Sequence, residues 1–381
     1  MAARRVIIVG PSYPLRGGGM ATFNERLAYA FQEAGDEVEI VTFSLQYPSF
    51  LFPGKSQYSE EPAPEGLRIK VLLNSVNPVS WWRTGNYIYK QQPDLVIFRY
   101  WLPFMGPAFG TIARLIRRNR HSRILAITDN VVPHEKRPGD VPLTKYFLSA
   151  CHGFITLSRA VLQDLKKFEP HKPSLYLPHP LYDNFGAAEP KAVACAALNL
   201  DPSYNYILFF GFIRAYKGLD LLLQAMAEPA LRQRPDIKLI VAGEFYEEDA
   251  PYQQLIADLH LQDRLVLHTD FIPNAAVRHY FSAADLVVQP YRHATQSGVT
   301  QVAYHFDKPM VVTNVGGLAE LVPDGEVGYV VAPDPKEIAA AVTRFYTWNQ
   351  GETFNQNIQT YKKKFSWDYF VKAVWELAGK R

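Results

Sequence analysis

Short apolar runs alternate along this chain with longer stretches in which apolar residues recur at helical spacing. The first run, residues 5–10, enters a loop with Pro11, Tyr13 and Pro14 and then Arg16-Gly17-Gly18-Gly19; helical spacing follows over residues 20–34 until Gly35 stops it. Further strands are predicted at residues 38–43, 67–73, 94–98, 123–128 and 153–157, with helices near 81–91, 107–119 and 159–168. Strand alternating with helix predicts a parallel, doubly wound sheet covered on both faces. Such sheets bind ligands beyond the carboxyl ends of their strands. The residues to inspect are therefore Arg99, Tyr100 and Trp101 after one strand, and Asp129, Asn130, His134 and Glu135 after the next.

Over residues 178–197 the pattern lapses into Pro, Gly, Ala and Asn, which reads as a linker. A second alternating series then begins, with strands predicted at 206–210, 237–242, 265–267, 286–289, 309–313 and 328–331. The fold class expected is α/β, two Rossmann-like doubly wound domains facing each other across a cleft, at residues 1–185 and 186–365. An amphipathic helix over 367–377 either closes the second domain or crosses back to the first.

Composition narrows the function classes only slightly. A chain of 381 residues with 48% hydrophobic and 20% charged residues has globular values and room for two cores. A formal charge of +3 is too mild for a nucleic-acid partner. Cys151 and Cys195 show no metal-ligand spacing and read as ordinary buried thiols of a reducing compartment. No stretch approaches the roughly 20 apolar residues of a membrane-spanning helix, so a cytoplasmic protein is expected, with membrane contact at most peripheral.

The clearest chemistry lies in Gly211-Phe212-Ile213-Arg214-Ala215-Tyr216-Lys217-Gly218, between an apolar strand and a helical pattern. Two cations beside the exposed N–H groups of a helix N-terminus are what a diphosphate requires. A surface loop with two solvated charges is the plain alternative. The Gly17-Gly18-Gly19 loop similarly lets a backbone approach a ligand closely, but it lacks the dinucleotide spacing, and no ribose-binding acid follows it.

With two such domains, the second half resembles the retaining glycosyltransferases of family 4, which have the GT-B fold. The resemblance rests on Gly211 to Gly218, on Val241-Ala242-Gly243-Glu244, and on Val315-Gly316-Gly317-Leu318-Ala319-Glu320 followed by Asp324-Gly325. It implies transfer of a sugar from a nucleotide-sugar donor to a glycan or lipid-linked acceptor, with the anomeric configuration retained. Arg214 and Lys217 would bind the donor diphosphate, and Gly17, Gly18 and Gly19 would close over it. No cofactor or metal is expected, because no Asp-x-Asp or His-Glu-x-x-His motif occurs.

Two departures from the family pattern bear on activity. The family's paired glutamates would fall at Ala294 and Val302, neither of which is a carboxylate; Thr295, Gln296 and Ser297 are the polar replacements expected, with Gly298 beside them at the donor. At the position of the family's first-domain histidine stands Asp129, expected to be catalytic with His134 and Glu135 nearby. Gly243, Glu244 and Glu320 complete the expected donor contacts. Ordinary turn and capping roles remain open for each of these residues. A catalytically idle nucleotide-sugar binder and an epimerase or hydrolase stay as alternatives.

On the acceptor side, the aromatics Tyr47, Phe50, Phe52, Trp81, Trp82, Tyr100 and Trp101 divide between core and contact surface, and Phe50-Leu51-Phe52-Pro53 is the candidate loop for a lipid or a sugar ring. Arg114, Arg117, Arg118, Arg120 and Arg123 form either a dock for anionic lipid or a solvated basic helix end.

Overall fold

The computed structural model describes residues 3–16, 19–48, 57–59, 62–132, 138–294 and 297–379. The chain divides into two compact units, Met1–Pro180 together with Phe365–Arg381, and Leu181–Lys364.

The first unit is built on a parallel sheet of β1 (Arg5–Val9), β2 (Glu37–Leu45), β3 (Arg68–Asn74), β4 (Leu95–Tyr100), β5 (Arg123–Thr128), β6 (Gly153–Thr156) and β7 (Ser174–Tyr176). The strand order is β3-β2-β1-β4-β5-β6-β7, so the winding reverses between β1 and β4. The near-continuous apolar sequences of β1, β4 and β5 suit strands covered on both faces. Between the strands run α1 (Gly19–Glu33), α2 (Pro78–Gln91), α3 (Gly106–Arg117) and α4 (Asp140–Leu148). The start of α2 is fixed by Asn77, whose side chain accepts from the Val79 N–H, and by Pro78 in the first turn. One face of the core is aromatic: Phe98, Phe109 and Phe147 lie with ring centroids 5.3 to 5.6 Å apart.

The helix Trp367–Ala378 belongs to this first unit. It is capped by Ser366 accepting from Tyr369 N–H and is stopped by Gly379 in the left-handed region. Its Trp375 Nε1 donates to Asp36 Oδ2 at 2.8 Å, Arg4 binds the same carboxylate at 2.9 Å, and the Arg4 guanidinium stacks 4.0 Å over the Trp375 ring. At the last turn, Arg123 Nε donates to Ala378 O.

The second unit carries β8 (Asn205–Phe210), β9 (Ile237–Ala242), β10 (Leu265–His268), β11 (Leu286–Gln289), β12 (Met310–Thr313) and β13 (Gly328–Val331) in a parallel sheet of order β10-β9-β8-β11-β12-β13. Its winding reverses between β8 and β11. The stretch read as a linker contains the helix Lys191–Ala197, and the structure adds β7 and α4 to the elements that periodicity announces.

Replacing Trp375 by Phe keeps the ring but deletes the hydrogen bond to buried Asp36. The expected loss is about 1–2 kcal/mol, read as a lower melting temperature of the first transition. An unchanged transition means that the bond contributes nothing to holding the C-terminal helix.

Candidate functional site

In the second unit, the chain leaving β8 meets the chain leaving β9 at very short range. Gly211 N–H donates to Ala242 O, Ile213 N–H to Glu244 O, and Tyr246 N–H to Ile213 O, so the two loops continue the strand pairing beyond the sheet. A Cβ on Gly243, where φ is +144°, would lie 2.3 Å from Gly211 O, so only glycine fits this approach.

The loop then makes a 3-10 turn, Ala215–Lys217, that ends at Gly218. Gly218, with φ +68°, opens the helix Leu219–Ala227, and a Cβ there would meet Pro290 O at 2.1 Å. Lys217 folds back over the loop, so that its Nζ lies 2.9 Å from where a Gly211 Cβ would stand. Arg214 is exposed, with its guanidinium 4.9 Å from the Tyr246 ring centroid. Neither cation forms an ion pair among the described residues. Burial and the neighbouring Arg214 charge push the half-buried Lys217 ammonium down to about 7. Two cations in one loop, beside a helix N-terminus at the switch point of a doubly wound sheet, are the arrangement that anion binding calls for.

The segment after β11 braces this loop from the side. Arg292 N–H donates to Tyr216 O at 2.7 Å, and the Arg292 guanidinium pairs with Asp220 in the first turn of the helix Leu219–Ala227. Tyr291 lies beneath Lys217, 5.7 Å from the ammonium, and its hydroxyl is 3.3 Å from Ser297 Oγ. Ser297 is buried at the start of the helix Gly298–His305, and Gly298 gives room to the Tyr182 ring, which a Cβ would meet at 2.9 Å. Val299 of the same helix adjoins Gly211. Gly211, Lys217, Gly218, Ser297 and Gly298 thus gather at one place. Gly243 and buried Glu244 border it through the paired loops. Glu320 is exposed on the turn Ala319–Leu321 after β12. Thr295 and Gln296 lie outside the described residues.

In the first unit, Asp129 follows β5 and its N–H donates to Tyr100 O. Its carboxylate is held by Arg99 in a two-bond fork, Nε to Oδ2 and Nη2 to Oδ1, both at 2.6 Å. Both side chains are buried, and the Arg99 guanidinium also stacks 4.0 Å over Phe23. This partnership was not anticipated. The signal was present in an arginine ending an otherwise apolar strand, since a buried guanidinium needs a carboxylate. Gly10 fits into the same corner between β1 and β4, where a Cβ would lie 2.9 Å from Arg99 Cβ and 2.7 Å from Asn24 Nδ2. Gly19 begins α1 beside the glycine loop; Gly17, Gly18, His134 and Glu135 lie outside the described residues, as do Phe50, Leu51, Phe52 and Pro53.

Of the aromatics considered for contact, Tyr100 and Trp101 are core residues, and the Trp101 Nε1 bond to Tyr47 Oη ties Tyr47 to them. Trp81 donates to Asn74 O, whereas Trp82 is exposed. The basic cluster is partly engaged inside the fold: Arg114 donates to Gly110 O and Tyr146 O, Arg117 to Ser149 O, and Arg123 to Ala378 O.

Residues 204–347 match the family model described as glycosyl transferases group 1. Among curated proteins, a D-inositol 3-phosphate glycosyltransferase of Frankia alni is 32% identical over 273 residues, which is 68% of this chain and 64% of that protein. A lipopolysaccharide core biosynthesis mannosyltransferase, LpsB of Rhizobium meliloti, is 33% identical over 38% of this chain and 42% of its own length. The matched stretch thus spans less than two thirds of these curated relatives. In fold, a sucrose-phosphate synthase from Thermosynechococcus elongatus superposes with a TM-score of 0.74 at 19% identity over 98% of both chains. Anabaena HepE, solved with UDP-glucose, gives a TM-score of 0.72 at 16% identity over 97% of this chain and 98% of its own.

A diphosphate held by Lys217 is expected to bind in a pH-dependent way: the protonated ammonium is the binding form, so affinity should fall as pH rises through about 7. Calorimetry of UDP or GDP binding near pH 8, in buffers of different ionisation heat, should register uptake of about one proton; Lys217→Arg should abolish it. Equal affinity at pH 6 and pH 9 with no uptake contradicts this assignment.

The sequence match over residues 204–347 and the two doubly wound sheets agree: this chain resembles the group 1 glycosyltransferases of GT-B fold.

Proposed function

We propose that the protein is a retaining, metal-independent glycosyltransferase that moves a sugar from a nucleotide-sugar to a glycan or lipid-linked acceptor. The observation that carries this reading is the pair Arg214 and Lys217, close together without a carboxylate at the mouth of the second sheet. A departing nucleoside diphosphate gains negative charge as the glycosidic bond breaks. Cations fixed in advance stabilise that charge more than they stabilise the bound donor, and this difference is what accelerates transfer. Arg214 would offer a planar fork to the phosphates, Lys217 a point charge, and the helix Leu219–Ala227 its N-terminal N–H groups. The relatives named for glycosyl transfer support the same reaction class.

On the acceptor side, Asp129 is the group assigned to orient a sugar hydroxyl. Its Arg99 fork fixes the carboxylate plane. Ala294 and Val302, standing where the family carries glutamates, favour a second reading: a protein that binds nucleotide-sugar without turnover.

The test is a panel of UDP-, GDP- and ADP-sugars, screened by thermal shift and then assayed for nucleoside diphosphate release with glycan and lipid-linked acceptors. Lys217→Ala should lower kcat/KM by at least about a hundredfold, in the range of losing one oxyanion-stabilising group. EDTA should leave the rate unchanged, and the product anomer by NMR should match the donor's. Asp129→Asn should lower kcat while leaving nucleoside diphosphate affinity within about twofold. Donor binding with no turnover across the panel replaces transfer by the binding reading.

A further inference from the structure

Helices α2, α3 and α4 pack side by side in the first unit. A Cβ on Gly85 of α2 would lie 2.7 Å from Leu115 of α3, and one on Gly106 of α3 would lie 2.4 Å from Leu143 O of α4. Such close backbones make the three helices one continuous layer. On that layer, Val79 is 55%, Trp82 57% and Val141 53% exposed, high values for side chains that gain most from leaving water. Val79 and Trp82 are one helical turn apart on α2 and so project together.

The layer is also strongly basic. The three helices carry five arginines and lysines, Arg83, Lys90, Arg114, Arg117 and Lys145, with Arg118 directly after α3. Asp140 is the one carboxylate on the three helices. Arg83, Lys90, Arg118 and Lys145 are exposed, and none forms an ion pair among the described residues.

We propose that this three-helix layer docks on a bilayer surface rich in anionic phospholipid. Trp82, Val79 and Val141 enter the boundary between headgroups and acyl chains, where an indole is well placed, while the four unpaired cations lie over lipid phosphates. Charge alone would suit any polyanion. Exposed apolar side chains on the same three helices select a surface that also has an apolar layer beneath its phosphates, which neither nucleic acid nor an acidic peptide presents. The inference does not rest on the transfer reading, because docking is measured without any sugar substrate.

The test uses the full chain and large vesicles of phosphatidylcholine, either pure or with about one third phosphatidylglycerol, in about 0.1 M salt. Flotation should show binding to the anionic vesicles at least about tenfold tighter than to the neutral ones. The exposed-site double variant Val79→Ser with Trp82→Ser should weaken binding at least about tenfold at an unchanged melting temperature. Arg83→Ser and Arg118→Ser should weaken it about fivefold each. Brominated lipid should quench a fluorescence component that Trp82→Phe removes. Absence of binding to anionic vesicles overturns the proposal, as does binding that the Val79 and Trp82 pair leaves unchanged. Tighter binding to duplex DNA than to the vesicles assigns the charge to another polyanion and overturns it as well.

Discussion

Arg214 and Lys217 are held in one short loop, and neither forms an ion pair among the described residues. Burial first, and the neighbouring Arg214 charge second, disfavour the charged form of Lys217 and lower its pKa. The loop has little freedom to relax. Gly243 lets the β9 loop lie against Gly211 O, Gly218 turns into a helix beneath Pro290 O, and the segment after β11 pins Tyr216 through Arg292 N–H. Each of these contacts is made by backbone, which moves less readily than a side chain. An anion placed beside both cations would offset the burial of the Lys217 ammonium and the Arg214 charge together.

The winding of both sheets was legible because buried parallel strands are written as apolar runs and their crossover helices as helical spacing. What escaped had no such contrast. Strand β7, Ser174–Tyr176, is too short to show a period, and α4 opens Asp-Val-Pro, a sequence that reads as a turn. The helix Lys191–Ala197 is mostly alanine, so its composition resembles a linker although alanine is the best helix former. At the site, the glycines and cations of residues 211–218 were readable because their chemistry is local. The Arg99–Asp129 fork joins a residue of β4 to the residue after β5, and no spacing rule in one sequence reveals such a pairing.

The fork also changes the character of Asp129. A carboxylate bound through both oxygens to one guanidinium is an oriented acceptor of fixed direction, set at the carboxyl ends of β4 and β5. The arginines of α3 follow a similar logic: Arg114 and Arg117 spend N–H groups on carbonyls near the end of α4, and neither forms an ion pair among the described residues. Hydrogen bonding to neutral groups positions a cation without cancelling its field. The first unit therefore combines a buried ion pair at the ends of β4 and β5 with a basic set of helices, and the second places two cations close together in a single loop.

The most direct test of the central claim compares UDP with uridine, or GDP with guanosine, in wild type and in Arg214→Ala with Lys217→Ala, by calorimetry near pH 6.5. If the cation pair exists for a diphosphate, the nucleotide should bind at least about a hundredfold tighter than its nucleoside in wild type, and the double variant should reduce that preference to within about fivefold. A preference that survives loss of both cations would contradict the account.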